Sequence, residues 1–170
     1  IKDRNLFSAR GAGILGFSLF GNDITYALDE NMKLDFDLLE DFCKKYHNQD
    51  VLVFGFTFMI WRYFYKELKK RKKSIPLEKG ILIHGGGWKK MIDEEVDNNN
   101  FKNSLRNLCG INRIHNYYGM VEQTGSIFME CEEGYLHTSI FSDINILRKN
   151  FSFCNTKEKG LVQISSVIPN

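Results

Sequence analysis

The stretch Asn116-Tyr117-Tyr118-Gly119-Met120-Val121-Glu122-Gln123-Thr124-Gly125 sets an aromatic ring, a bare turn and a carboxylate close together. Upstream lies Gly85-Gly86-Gly87-Trp88-Lys89-Lys90, with a helical segment between the two. Each comes after a short apolar run that reads as a buried parallel strand. Loops at the carboxyl ends of neighbouring strands are where an open α/β sheet binds ligands. The glycine loop offers backbone amides and carbonyls to a close ligand. The second loop offers a ring face beside an acid. Together they would hold a flat base and a metal-bound phosphate, which is nucleotide chemistry.

Each residue also has a plainer reading. Gly85-Gly86-Gly87 could be a tight strand-to-helix turn, although three glycines exceed what a turn requires. Tyr118 could be core, and Glu122 a surface acid rather than a magnesium ligand. His84, at a strand end beside the glycines, either lines the site or is a satisfied structural histidine. His47, His115 and His137 are structural by default, because the four histidines show no metal-ligand spacing with one another or with the cysteines.

The elements that position these loops follow from hydrophobic spacing. Leu34, Leu38, Phe42 and Tyr46 recur every four residues on a helix that Asp35 can cap. Val51–Phe54 reads as a strand ended by Gly55. Thr57 can cap a second helix, which runs to about Lys73, buries Ile60, Phe64 and Leu68, and is stopped by Ser74-Ile75-Pro76. Ile81-Leu82-Ile83 is the next strand. Beyond it come a helix from Lys89, a polar break at Asn98-Asn99-Asn100, and a helix with Phe101, Leu105 and Leu108 on one side that stops at Gly110. Arg113–Tyr117 is the third strand. This alternation gives a parallel sheet with flanking helices. After Gly125, the runs Ser126–Cys131, Tyr135–Ser139, Asp143–Arg148 and Gly160–Ser165, divided by turn residues, predict a short antiparallel β region. The expected organisation is an α/β nucleotide-binding portion over 1–125 and a β-rich continuation of the same large domain over 126–170.

Composition narrows the function classes. A formal charge of +2 is too small to argue for a polyanionic partner. Lys69–Lys73 is the one strong charge block; it falls in the last turn of a helix, where cations complement the macrodipole, and has no interleaved aromatics for base stacking. No nucleic-acid partner is expected. Cys43, Cys109, Cys131 and Cys154 are far apart and predict reduced thiols in a cytoplasmic protein rather than a disulfide framework or zinc cage. The longest apolar run, Val51–Trp61, is too short to span a bilayer. Gly11-Ala12-Gly13-Ile14-Leu15-Gly16 satisfies a dinucleotide fingerprint, but no apolar strand precedes it; a glycine-rich strand is expected instead. The chain starts without Met and stops just after an apolar run, so a fragment of something larger is expected.

At Gly85-Gly86-Gly87 and Tyr118-Gly119-Met120-Val121-Glu122 the chain resembles the adenylate-forming superfamily. Closer still, Phe54-Gly55-Phe56-Thr57-Phe58-Met59, Ile83–Lys90 and Tyr117–Ser126 are similar in order and spacing to blocks of the acyl-protein synthetase family, which activates fatty acids for the bacterial bioluminescence reductase. The resemblance runs from Phe54 to the carboxyl end. It implies ATP-dependent activation of a carboxylic acid, of the fatty class, to an acyl-adenylate, then transfer to a thiol on a reductase or carrier protein. It further implies that Gly85, Gly86, Gly87, Trp88, Tyr118, Gly119, Met120 and Val121 contact ATP, and that Glu122 is a catalytic residue as the ligand of Mg2+. His84, Gln123 and Thr124 would line the site. Val121 departs from the superfamily's threonine and removes one hydroxyl donor to the α-phosphate. The resemblance places a phosphate loop before Ile1, and a ribose-binding aspartate, a lysine-bearing domain and an acyl-accepting cysteine beyond Asn170, so these residues alone are expected to be inactive. A non-catalytic nucleotide- or acyl-binding module is the alternative. Phe54, Phe56 and Trp61 suit a long aliphatic acid, and equally suit ordinary core.

Overall fold

In a computed structural model, the protein is described over residues 9–88, 93–119 and 127–167. Two compact units divide it, one up to His115 and one from Asn116 onward.

The first unit begins with α1 (Ala9–Ser18) and α2 (Phe36–Lys45), followed by β1 (Val51–Phe56). A continuous helical run comes next: α3 (Thr57–Met59), a π-helical stretch (Ile60–Tyr65) and α4 (Lys66–Arg71). Then come β2 (Gly80–Gly85), α5 (Asn98–Cys109) and β3 (Arg113–Gly119), which continues past His115. β1 and β2 are parallel, with Val51 opposite Gly80 and Phe56 opposite Gly85. The helix-strand alternation therefore yields the α/β architecture and the parallel pairing expected of it.

Asp35 caps α2, its carboxylate accepting from the Leu38 amide. The buried residues of α2 are Phe36 and Leu39, while Leu38 faces outward. The four-residue spacing thus finds the helix and misjudges its inner face. β1 does not end at Gly55 but runs one residue further, and its residues are half-buried apart from exposed Leu52. The Gly11–Gly16 segment belongs to helix α1 rather than to a strand, with Phe17 stacked on Phe54 at 4.2 Å between centroids. That contact packs the helix onto β1 and offsets part of what its glycines lack in helix propensity.

The long helix also departs from simple periodicity. Across its middle the Lys66 amide bonds the Trp61 carbonyl, a five-residue closure. This wider turn buries Ile60 and Trp61 side by side, although four-residue spacing selects only the first. Lys72 ends the run in a left-handed conformation. The Lys69–Lys73 block is a solvated helix end, as its position suggests. Lys73 pairs with Glu40 at 2.7 Å, and the Arg71 guanidinium lies 4.1 Å from the centre of the Phe36 ring.

Asn98–Asn100 form the first turn of α5 and not a polar break. Asp97 caps that turn, accepting from the Asn100 amide at 2.9 Å. A good N-cap outweighs the weak propensity of three asparagines. Gly110, at φ 72°, stops α5 where a side chain would be strained. Leu68, Ile75, Leu82, Phe101, Leu105 and Ile111 form the fully buried heart of this unit.

In the second unit β3, β4 (Ile127–Glu130) and β5 (Leu136–His137) form an antiparallel meander, with Tyr118 opposite Phe128 and Met129 opposite His137. β6 (Ser142–Leu147) and β7 (Leu161–Ser166) form a separate antiparallel pair. The short antiparallel strands predicted after Gly125 are therefore present.

Truncating the inward face of α5 should be costly. Leu105→Ala is expected to destabilise by about 2–5 kcal/mol, and Asp97→Ala, which removes only the cap, by about 1 kcal/mol. Urea denaturation of the two variants should rank them in that order.

Candidate functional site

Parallel register brings the carboxyl ends of β1 and β2 to one level, since Gly55 and Phe56 face His84 and Gly85. Each strand then leads directly into a site element, the helical run at Thr57 and the glycine loop at Gly86. Thr57 joins them. Its hydroxyl lies 3.1 Å from the Gly85 carbonyl, to which it donates, and 3.0 Å from His84 Nδ1. A hydroxyl carries one hydrogen, so with Gly85 accepting it, His84 Nδ1 must be the donor to Thr57. That assignment puts a proton on Nδ1. Both side chains are buried, so the bonds form away from competing water.

The sequence suggests Thr57 as a helix cap. Phe56 instead occupies the N-cap position without a side-chain bond, and Thr57 is the first helical residue. Its hydroxyl reaches across to β2. Of the two readings left open for His84, the structure shows a buried ring bonded to Thr57 and packed 4.6 Å from Phe101, supporting the glycine loop from behind.

The loop glycines have different local surroundings. Gly86 sits at φ +75°, and a β-carbon there would stand 3.1 Å from Phe56 Cδ1. The left-handed backbone favours glycine, and a side chain there would also have to displace the Phe56 ring slightly. Gly87 is the reverse, with nothing within 4 Å of where a β-carbon would stand. Its backbone is open to an incoming molecule. Trp88 turns back onto the protein, edge-on to Trp61 at 6.0 Å and to Phe101 at 6.4 Å. The loop is thus held at both ends, by the Thr57–His84 bonds and by the Trp88 ring.

In the second unit, Tyr118 is half-exposed at the end of β3, tilted against Phe128 with 6.0 Å between ring centres. A β-carbon on Gly119 would meet nothing within 4 Å. A tyrosine so exposed has a ring available for stacking. Beside it, burial raises the Tyr117 phenol above its usual range. Met120, Val121, Glu122, Gln123 and Thr124 lie outside the described residues, as do Lys89 and Lys90. Among the described residues no cluster of three or more His, Cys, Asp or Glu could hold a metal ion.

Glu130 is a site-supporting residue that sequence reasoning misses. It is 4% exposed, and its Oε2 accepts from the Asn116 backbone amide at 2.7 Å. A buried carboxylate fixing the backbone two residues before Tyr118 orients that strand end. The only signal for it in the sequence is an acid within an otherwise apolar strand.

Phe54 and Phe56, expected near an aliphatic acid, line an apolar cavity of about 390 Å3 in the first unit. Trp61 does not line it; that ring is stacked on Tyr65 at 4.4 Å within the aromatic cluster.

The family model for acyl-protein synthetase, LuxE, matches residues 3–170. No curated protein matches the chain. No helix among the described residues is long and apolar enough to cross a membrane.

The contrast between the two loop glycines is testable by thermal unfolding without ligand. Gly86→Ala should lower the melting temperature by several degrees, whereas Gly87→Ala and Gly119→Ala should leave it within about a degree of the parent. Equal destabilisation by all three would show that the open backbone described for Gly87 is wrong.

Proposed function

The chain belongs to the acyl-protein synthetase, LuxE family, and on that premise we propose that it supplies the nucleotide-binding part of an ATP-dependent enzyme that activates a fatty acid as its acyl-adenylate. The observation carrying this reading is the glycine loop. Gly86 is forced into a left-handed turn, Gly87 is left open, and the loop is fastened at Thr57 and Trp88. A rigid turn presenting bare backbone at a strand end suits the edge of a purine, where main-chain groups can hydrogen-bond at close range.

In the proposed reaction a carboxylate oxygen of the acid attacks the α-phosphorus of ATP. The bond from that phosphorus to the bridging oxygen breaks, and pyrophosphate leaves. A thiol sulfur then attacks the acyl carbonyl carbon and AMP departs, leaving a thioester on the acceptor. Such transfers need little covalent help from the protein beyond positioning and charge stabilisation. In the proposed division of labour Gly85, Gly86 and Gly87 contact ATP through their backbone, and Tyr118 contacts it by stacking. Gly119 keeps space open beside the ring. Glu122 carries the charge to hold Mg2+, which when bound offsets negative charge on the phosphate oxygens. Glu130 acts indirectly, by fixing Asn116 and so the approach to Tyr118. The proposed acyl acceptor is a thiol, on a reductase or carrier protein in this reading.

Stacking on an aromatic side chain contributes about 1–3 kcal/mol elsewhere. In the complete protein Tyr118→Ala should therefore raise the ATP dissociation constant roughly tenfold or more, since 1.4 kcal/mol is tenfold. Tyr118→Phe, which keeps the ring, should change it little. Because Tyr118 is half-exposed, neither variant should unfold the protein. Unaltered ATP affinity in a folded Tyr118→Ala variant would place adenine elsewhere.

Glu122→Gln removes the charge while keeping the shape. ATP–pyrophosphate exchange with a fatty acid should fall by orders of magnitude, with circular dichroism and melting temperature preserved. Parental exchange in that variant would end the magnesium assignment. Binding of ATP and acid by the complete parent protein without any exchange would favour the non-catalytic module instead.

A further inference from the structure

The apolar cavity beside β1 has a size and lining that folding alone does not explain. It is a half-open apolar pocket of about 390 Å3, with room for roughly a dozen waters, bordered on its outer side by the exposed residues Gly21, Asp23, Ile24 and Tyr26. Its walls give water little to bond. Phe17, Leu28, Phe42, Phe54, Met59 and Phe64 are typical of them. Among the described residues no lysine, arginine or histidine lines it, and its two carboxylates are engaged elsewhere. Asp23 accepts from Lys45 at 2.8 Å and from the Tyr46 hydroxyl, while Asp29 accepts from the amides of Asn31 and Lys33. Those same bonds fasten the segment that roofs the cavity, together with a bridge between Leu28 and Leu34.

The space has a direction. All six residues of β1 line it, so it runs the length of that strand, about 16 Å at ~3.3 Å per residue. One end lies at Phe56, whose ring is in contact range of Gly86 in the glycine loop. The opposite end lies at Val51, Leu77 and Ile111. Cys43, in the last turn of α2, also lines the cavity and lies near Glu78 and Cys109, both close enough to act on its thiol or be acted on by it. A chamber with no basic group rejects an ionised head and accepts a chain. With the reacting carboxylate beside the loop proposed for adenine, next to Phe56, the hydrocarbon chain would extend along β1 toward Val51.

Resting on the proposed adenylation, we infer that this cavity holds one unbranched acyl chain laid along β1, carboxyl end at Phe56 and methyl end at Cys43, and that Cys43 sets the longest chain accepted. Each methylene added inside the cavity should raise affinity about fourfold. The gain should cease when the chain reaches Cys43.

The test uses the complete protein and saturated octanoic, decanoic, dodecanoic, tetradecanoic and hexadecanoic acids, each competing against a fluorescent fatty acid. Affinity should climb steadily and then level or fall. Cys43→Phe should move that break to a shorter acid and weaken the longest acids tenfold or more, and Cys43→Ala should move it to a longer one. Should Cys43→Phe fail to fold, labelling of the parent serves instead. A saturating long acid should protect Cys43 from a maleimide, scored by peptide mapping. Buried Cys109, its thiol pushed up to about 12 by burial, should stay unlabelled throughout. A break at the same chain length in the parent and both variants would overturn the inference, as would equal labelling of Cys43 with and without acid. Failure to bind any acid while ATP still binds would overturn it too, and would leave the nucleotide reading standing. Length-dependent binding without pyrophosphate exchange would uphold the cavity and sink the adenylation.

Discussion

The site depends on two parallel strands ending at the same level and on one buried hydroxyl that ties together the segments beyond them. β1 and β2 run in register from Val51 and Gly80 to Phe56 and Gly85. Past that point the chain would be free to splay, one strand entering a helix and the other a glycine loop with little intrinsic rigidity. Thr57 prevents this by bonding the Gly85 carbonyl and the His84 ring in a place that water does not reach. Such bonds cost little to keep and much to break, since a buried partner left unpaired bears its full desolvation penalty. The strand end that leads into the glycine loop is therefore tied down, while Gly87 stays open to a ligand.

Around this tie the first unit divides its large apolar residues between two tasks. Trp61, Trp88, Phe101 and His84 pack ring against ring and fix the loop from behind. The π-helical stretch makes this possible, because its wider turn buries Trp61 next to Ile60. Phe17, Phe54 and Phe56 instead border open space, with Phe17 stacked on Phe54 and Phe54 edge-on to Phe56 at 6.1 Å. Filling that space with side chains would have added stability through burial.

The features legible in the sequence are mostly local. Ile81–Ile83 stands out as a strand because an apolar run of that length has few other uses, and Arg113–Tyr117 follows from its place just after the helix stop at Gly110. Asp35 and Gly110 are legible because capping chemistry acts within three or four residues. The failures are equally physical. Thr57 has the right type and place for a cap, and its true partners, His84 and Gly85, are far along the chain. Asn98–Asn100 look like a break by propensity, and one upstream aspartate reverses that. The glycines of α1 suggest a strand, yet the aromatic contact of Phe17 that holds this helix is tertiary. Glu130 stays hidden because its role is to bond the backbone of a neighbouring strand, which spacing cannot express. For the candidate site, the glycine loop and Tyr118 are legible as motifs, but only the folded chain distinguishes left-handed Gly86 from open Gly87.

The most direct test of the nucleotide assignment is amide hydrogen–deuterium exchange on the complete protein, with and without a non-hydrolysable acyl-adenylate mimic. Saturating mimic should slow exchange in peptides spanning Gly85–Trp88 and Tyr117–Gly119, while the solvated helix end at Lys69–Lys73 should be unaffected. Tight binding of the mimic with no change in either loop peptide would contradict the assignment.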